Sequence, residues 1–258
     1  MFEIAIYCRK MFAPLKHSPG LFLPVDIAAL MDTMVGMSAV ISFRDVHAAH
    51  FEGLSFEVEE GASTLIVTSG EDEGACLLRL ITGLVRPGHG SVQVAGLSLG
   101  ELASGQIYHL RQQIGVVPSN GGMVSNLKLW ENITLALLYT TGHISAEAEE
   151  YAINSLKQLG YTGNIMAMSA HLSLYEKRVA AFLRAAICQP HIMVYDNCFE
   201  DMGAAPRKAL SAAMSAFHSA VPGRTSLYLA SSPEVAGEVA ADCVIDVRRS
   251  FEAMAGTL

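Results

Sequence analysis

Thr68 to Leu84 reads TSGEDEGACLLRLITGL, and its two halves point in different directions. In the second half, apolar residues recur at helical spacing, at Leu77, Leu78, Leu80, Ile81 and Leu84, so the segment predicts one face of a buried helix. It follows STLIVTS (Ser63 to Ser69), a short apolar run of the kind found in fully buried parallel strands. A strand that turns directly into a helix presents backbone N–H groups at the helix start, an arrangement suited to anions. The first half, GEDEGA (Gly70 to Ala75), instead puts Glu71, Asp72 and Glu73 at that start. Carboxylates there complement the helix dipole, and the three are read as capping the helix and satisfying its positive end; an unconventional cation site is the alternative.

The flanking pattern sets the fold class. VISFRDV (Val40 to Val46) and LSFEVEEG (Leu54 to Gly61) alternate with period two and predict antiparallel strands with one wet face. A helix is expected from Gly74 to Leu84, stopped by Arg86-Pro87-Gly88, with strands at Ser91 to Gly96 and Ile114 to Pro118. Leu127 to His171 reads as an α-helical insertion without strands. Beyond it, helix Ser173 to Cys188, strand His191 to Asp196, helix Ala205 to Ala220, strand Thr225 to Ala230, helix Pro233 to Ala241 and strand Cys243 to Val247 alternate. This order predicts an α/β fold: a mainly parallel sheet flanked by helices, with an N-terminal antiparallel β subdomain and an α-helical insertion.

Composition narrows the function classes. The 258 residues are 51% hydrophobic and 16% charged, enough for a sizeable core and unlike a disordered chain. A net charge of −8 carries no basic footprint, so no nucleic-acid partner is expected. The mean hydropathy is +0.34, yet no apolar run approaches the ~18 residues that cross a bilayer. That excess is assigned to buried strands and contact surfaces, as in a peripheral partner of a membrane protein. The five cysteines (Cys8, Cys76, Cys188, Cys198 and Cys243) are scattered among apolar runs, with no metal-ligand spacing; each is read as a small buried hydrophobe in a reducing setting. Residues 1–36 carry Pro14, Pro19 and Pro24 without a clear period and are read as an N-terminal extension or a mis-assigned start. The domain proper is taken as residues 37–250, with its helical part at about 127–172, and residues 251–258 as a tail.

From Ser38 to Val247 the sequence resembles the ATP-binding domain of ABC transporters, a P-loop NTPase fold. LLRLITGLVRPGHGSVQVAG (Leu77 to Gly96) is similar to the stretch after the family's Walker A loop. IGVVPSNGGMVSNLKLWENITLAL (Ile114 to Leu137) is similar to the Q-loop region, and LSLYEKRVAAFLRAAICQPHIMVYDN (Leu172 to Asn197) to the signature helix followed by Walker B. Within the family, Gly121 to Leu137 resembles the ATPases of mammalian-cell-entry type lipid transport systems more than others.

The resemblance assigns the family's site positions, and the expected residues are missing from most. The Walker A position is Ser69, Gly70, Glu71, Asp72, Glu73, Gly74, Ala75 and Cys76; its glycines fall at Thr68, Glu71 and Glu73, its lysine at Gly74 and its metal-binding hydroxyl at Ala75. The Q-loop glutamine falls at Ser119. The signature position is Leu172, Ser173, Leu174, Tyr175 and Glu176, with Leu174 and Tyr175 replacing its glycines. Walker B keeps Asp196, while Asn197 stands where a glutamate polarises the attacking water and Ser232 where the switch histidine stands. A neutral amide cannot accept that proton. No residue is expected to be catalytic, no metal site is expected, and no cofactor is expected.

The resemblance, with these positions lost, implies a degenerate ABC subunit without ATPase activity, in a structural or regulatory role docked on a membrane permease subunit, as a homodimer or as a heterodimer with an ABC ATPase paralogue. Its expected place is the cytoplasmic, inner face of the membrane. Two readings stay open beside it. One is a working or weakly working ABC ATPase that binds ATP and Mg²⁺ through remaining contacts such as Asp196 and Ser173; the other is a soluble interaction module unrelated to transport.

Overall fold

The computed structural model describes residues 39–248; the extension and tail expected at residues 1–36 and 251–258 lie outside them. The chain forms two sheets. Strands β1 (Ala39–Ala48), β2 (Phe51–Glu59), β4 (His89–Val94) and β5 (Leu97–Ser98) make an antiparallel sheet in the order β2-β1-β4-β5. Strands β3 (Ser63–Val67), β6 (Ile114–Val117), β7 (Ile192–Asp196), β8 (Thr225–Ala230) and β9 (Cys243–Asp246) make a parallel sheet in the order β6-β7-β8-β3-β9.

Every residue of β3 and β7 is buried, which is why these runs read as continuous apolar stretches rather than as alternation. The pleat splits β3 between two cores. Leu65 and Val67 face a core with Phe182, Met193 and Phe217, whereas Ile66 joins Leu77, Leu80, Ile81 and the inner residues of β1 such as Ile41 and Phe43. The antiparallel sheet therefore closes over one face of the parallel sheet, with helix α1 (Glu71–Ile81) between them.

Helix α1 buries Cys76, Leu77, Leu78, Leu80 and Ile81 on the face the sequence predicts. Its ends differ from expectation. It begins at Glu71 rather than Gly74, so the three carboxylates form its first turn. It stops at Ile81, before the Arg86-Pro87-Gly88 turn, because Gly83 adopts φ 63° and closes a Schellman motif: Leu84 N–H donates to Arg79 C=O and Gly83 N–H to Leu80 C=O. Arg111 covers the carbonyls left over, donating to Thr82 O at 2.8 Å and Gly83 O at 3.0 Å. Arg111 belongs to α2 (Ser104–Gln112), a helix that the sequence pattern did not reveal, as it buries only Leu110.

The insertion holds α3 (Leu129–Thr141) and α4 (Ala146–Gln158) with a short 3₁₀ turn at Ser169–His171, and no strand among the described residues beyond one bridge between Lys128 and Met168. Helix α5 (Leu174–Ala186) returns the chain to β7, and α6 (Ala204–Ser219) links β7 to β8. The helix expected over Pro233 to Ala241 is split into a 3₁₀ turn, Pro233–Val235, and a single turn α7 (Ala236–Val239), ended by Ala240 in the left-handed region at φ 48°. Cys76 and Cys198 are buried as expected, Cys188 is only half-buried, and Cys243 is exposed on β9, at the sheet edge. Cys8 lies outside the described residues.

Candidate functional site

In an open parallel sheet, ligands bind beyond the carboxyl ends of the strands. Here the ends of β3, β6, β7 and β8 deliver Thr68, Ser119, Asp196 and the Ser231-Ser232 pair to one edge. Most of the residues singled out in the sequence therefore meet.

The centre is the junction of α1 with the end of β7. A methyl group placed on Gly74 would stand 3.4 Å from Asp196 Oδ1 and 3.5 Å from Asn197 Nδ2, so the glycine lies in van der Waals range of both. Asn197 N–H donates to Leu229 C=O, and its side chain donates to Asp196 Oδ1 at 3.2 Å. Asn197 is buried in the left-handed region at φ 45°, a conformation asparagine tolerates better than most residues, and its Oδ1 has no hydrogen-bond partner. Burial drives the Asp196 carboxyl up to about 6; the amide of Asn197 and the backbone of Ser119 oppose that, while the negative charges of Glu71 and Glu200 reinforce it.

The start of α1 is lined by its own acids. The N-cap, Gly70, has no side chain to offer, and the helix carries no side-chain cap, contrary to the expected capping by the acids; Glu73 instead ties down the residue before the cap, its carboxylate accepting the Ser69 N–H at 2.7 Å. Thr68, fully buried, turns its hydroxyl onto Gly70 C=O at 3.1 Å. Glu71 and Asp72 stay exposed beside it, and Ala75 follows Gly74 with a methyl group in place of a hydroxyl.

Ser173, Leu174, Tyr175 and Glu176 sit apart, at the start of α5. Ser173 and Glu176 form a capping box: the Glu176 carboxylate accepts from both Ser173 N–H and Ser173 Oγ–H at 2.7 Å, while Ser173 Oγ accepts the Glu176 N–H. Tyr175 donates its hydroxyl to Leu159 C=O at 2.8 Å, fastening the helix start to the insertion, and Leu172 is buried. Ser232 caps the Pro233 turn by accepting the Glu234 N–H, and its neighbour Ser231 donates to Glu200 at 2.7 Å. Of the aromatic residues near the β1–β2 turn, Phe51 is 1% exposed and committed to the core.

Sequence reasoning missed the residues that hold these segments together. Arg178, buried in α5, donates to Ser119 C=O at 2.6 Å and to Glu200 C=O, joining the loop after β6 to the loop after β7. Arg184, also buried, donates to the carbonyls of Gly122 and Gly121 at 2.9 and 3.3 Å. Asn132 binds both the N–H and the C=O of Val124 and two further carbonyls, fixing the entry to the insertion. The visible signal was a pair of arginines on the inner face of an otherwise apolar helix, since a buried guanidinium requires several acceptors. Beside this frame a cavity of about 240 Å³ runs from Ala75 and Leu78 past Ile114 and Ser119 to Arg184 and Asp196.

Together, the fold and the position of the site define an α/β protein of the P-loop NTPase type. Solved structures agree in fold: a dimeric ATP-binding cassette, MJ0796, bound to ADP and phosphate matches with TM-score 0.69 and 17% identity over 81% of this chain and 95% of that one. CbiO1 from Clostridium perfringens matches with TM-score 0.70 and 13% identity over 83% of this chain and 86% of that one. The family model for ABC transporters matches residues 51–200, and the chain belongs to the ABC transporter family.

Among curated relatives, the human mitochondrial iron-sulfur clusters transporter ABCB7 is 29% identical over 209 residues, 75% of this chain and 26% of that protein. The intermembrane phospholipid transport system ATP-binding protein MlaF of Escherichia coli K12 is 24% identical over 159 residues, 62% of this chain and 59% of MlaF. The chain thus spans about a quarter of the length of the first and three fifths of the second. Among the described residues, no helix is long and apolar enough to cross a membrane.

Proposed function

We propose that this chain is a non-hydrolysing ABC subunit: a structural or regulatory partner of a membrane permease, paired with a second copy or with an active ABC paralogue at the inner face of the membrane. One observation carries the reading. Where the family places a lysine and a hydroxyl at the Walker B aspartate, this chain has Gly74 against Asp196 and Asn197, followed by Ala75, in a helix start bearing Glu71, Asp72 and Glu73.

The residues present do not fit Mg²⁺-ATP. The helix start offers N–H donors, but each carboxylate near a phosphate opposes it by roughly 1–4 kcal/mol at contact distance. No side-chain cation of α1 compensates at this end, since Arg79, its basic residue, lies in the last turn. Asn197 supplies an amide where a general base is needed. Loss of one transition-state contact costs about 10²–10³ in rate, and several are missing together. Ser173, the hydroxyl that a dimer partner would borrow, is engaged by Glu176.

The partner side of the proposal draws on what remains. The 240 Å³ cavity opens beside Ser119, the position at which the family couples nucleotide state to the permease, and Arg178 and Arg184 hold its walls in one arrangement. A phospholipid pathway is proposed from the likeness of Gly121 to Leu137 to lipid-transport ATPases and from the match to MlaF. Affinity purification of the chain from detergent-solubilised membranes of cells that express it tests the partnership: co-purification of an ABC permease subunit supports it, and an exclusively unattached chain overturns it.

The site itself is tested by rebuilding the loop with Thr68→Gly, Glu71→Gly, Glu73→Gly, Gly74→Lys and Ala75→Ser. The space beside Gly74 admits a Cβ at ordinary contact distance. Nucleotide binding gained by a folded variant supports a scaffold that lost only its loop. A folded variant that still binds nothing contradicts it.

A further inference from the structure

A second site lies on the antiparallel sheet, away from the strand ends discussed above. Asp45, His47 and His89 each offer one ligand atom within 4.8 Å of the others, the one such group among the described residues. His47 Nε2 stands 3.3 Å from Asp45 Oδ1, and His89 Nδ1 stands 3.3 Å from Asp45 Oδ2. The two imidazole rings meet edge to face, with centroids 5.3 Å apart.

The backbone builds this group. His47 and His89 are register partners across the β1–β4 ladder, so their side chains share one face. Asp45 reaches the same place because β1 bulges there: the register shifts between Phe43 and Val46 on the β2 side and between Arg44 and His47 on the β4 side. Asp45 itself takes φ 50°, in the left-handed region, and its N–H donates to Ser55 Oγ at 2.9 Å. Gly90, at φ 81°, runs so close to the bulge that a Cβ would fall 2.1 Å from Asp45 C=O, and Gly88 N–H donates to His47 C=O at 2.8 Å. A strained residue, a glycine that nothing else can replace, and two backbone hydrogen bonds fix three side chains that face solvent.

We propose that Asp45, His47 and His89 bind a borderline divalent transition ion of the zinc class, which staples the β1 bulge to the start of β4. Zn²⁺ takes imidazole nitrogen and carboxylate oxygen at about 2.0–2.2 Å, and tetrahedral geometry then separates neighbouring ligand atoms by about 3.3 Å. Each imidazole nitrogen stands at that separation from one of the two Asp45 oxygens, so the carboxylate lies between the two rings, with all three ligand atoms within 4.8 Å of one another. Two imidazoles and one carboxylate favour zinc over the hard ions Mg²⁺ and Ca²⁺, which prefer oxygen. Water completes the coordination, as the side chains are 45% to 72% exposed. Because the three residues span β1 and β4, metal binding stabilises the folded chain. The proposal stands whether or not the chain handles nucleotide.

The test is titration of the full, metal-free chain with Zn²⁺ by calorimetry, with thermal unfolding in parallel, and with Co²⁺ absorption as a spectroscopic report of nitrogen and oxygen ligation. Expected are one equivalent bound in the micromolar range, a rise in Tm, and loss of about tenfold or more in affinity in each of His47→Ala, His89→Ala and Asp45→Asn. Asparagine keeps the bulge conformation, so Asp45→Asn separates loss of the ligand from loss of the bulge. The variants should unfold at the wild-type temperature without metal. Absence of Zn²⁺ binding, or binding that all three variants leave unchanged, overturns the proposal.

Discussion

The first turn of α1 and the two turns that follow it obey different rules. From Cys76 to Ile81 the helix presents an unbroken apolar face to Ile66, Ile41 and Val194, and every buried position carries a residue that packs. From Glu71 to Ala75 the same helix presents acids, a glycine and a methyl group to the end of β7, where the family handles phosphate. Five residues apart on one helix, packing has been kept while the groups suited to phosphate are absent. A chain decaying without a role would lose both, because most random substitutions in a core destabilise.

The largest effect should come from the packed half. Leu77→Ala, at a fully buried position between the two sheets, is expected to cost about 2–5 kcal/mol in chemical unfolding. A loss under about 1 kcal/mol would mean that the core tolerates erosion, and the contrast with the first turn would disappear.

Next comes the junction. The Asp196 carboxyl is raised from 3.8 to about 6 in the folded chain, so between those values the folded protein holds a proton that the unfolded chain has released. The contribution of Asp196 to stability is therefore most favourable below about pH 4, falls as the pH rises towards 6, and above that carries the whole cost of the buried charge. At about 1.4 kcal/mol per pH unit the cost reaches about 3 kcal/mol. Asp196→Asn should accordingly be more stable than wild type at pH 7 to 8, by up to that amount, and indistinguishable near about pH 4. A variant that is destabilised at neutral pH would show that the carboxylate is held by favourable partners, as expected of an intact ion site.

The smallest effects belong to the acidic turn. Glu73→Ala removes the acceptor for the Ser69 N–H and should cost about 1 kcal/mol in thermal unfolding, whereas Asp72→Ala should stay within about 0.5 kcal/mol. Equal effects would remove the distinction between an acid bonded to the preceding loop and its exposed neighbour.

The sequence revealed whatever rests on period and chain order. The apolar runs of β3 and β7, the face of α1 and the strandless insertion follow from spacing that burial imposes directly. Helix ends were less legible, because the Schellman closure at Gly83 depends on a backbone conformation that an apolar pattern does not encode. The short helix Ser104–Gln112 escaped since it turns one side chain into the core. At the site, the residue types of Gly74, Asp196 and Asn197 were readable, but their closeness was not: it arises where two segments more than a hundred residues apart end at one sheet edge. Arg178 and Arg184 were hidden in an apolar helix, and the Asp45–His47–His89 group was hidden by a bulge and a cross-strand register.

The direct measurement is titration of the purified chain with a fluorescent ATP analogue in the presence of Mg²⁺. No saturable binding is expected up to the millimolar range, and none when Mg²⁺ is raised. Saturable binding at micromolar concentrations would contradict this expectation, because it would show that Gly74, Asp196 and the acidic turn still form a nucleotide site.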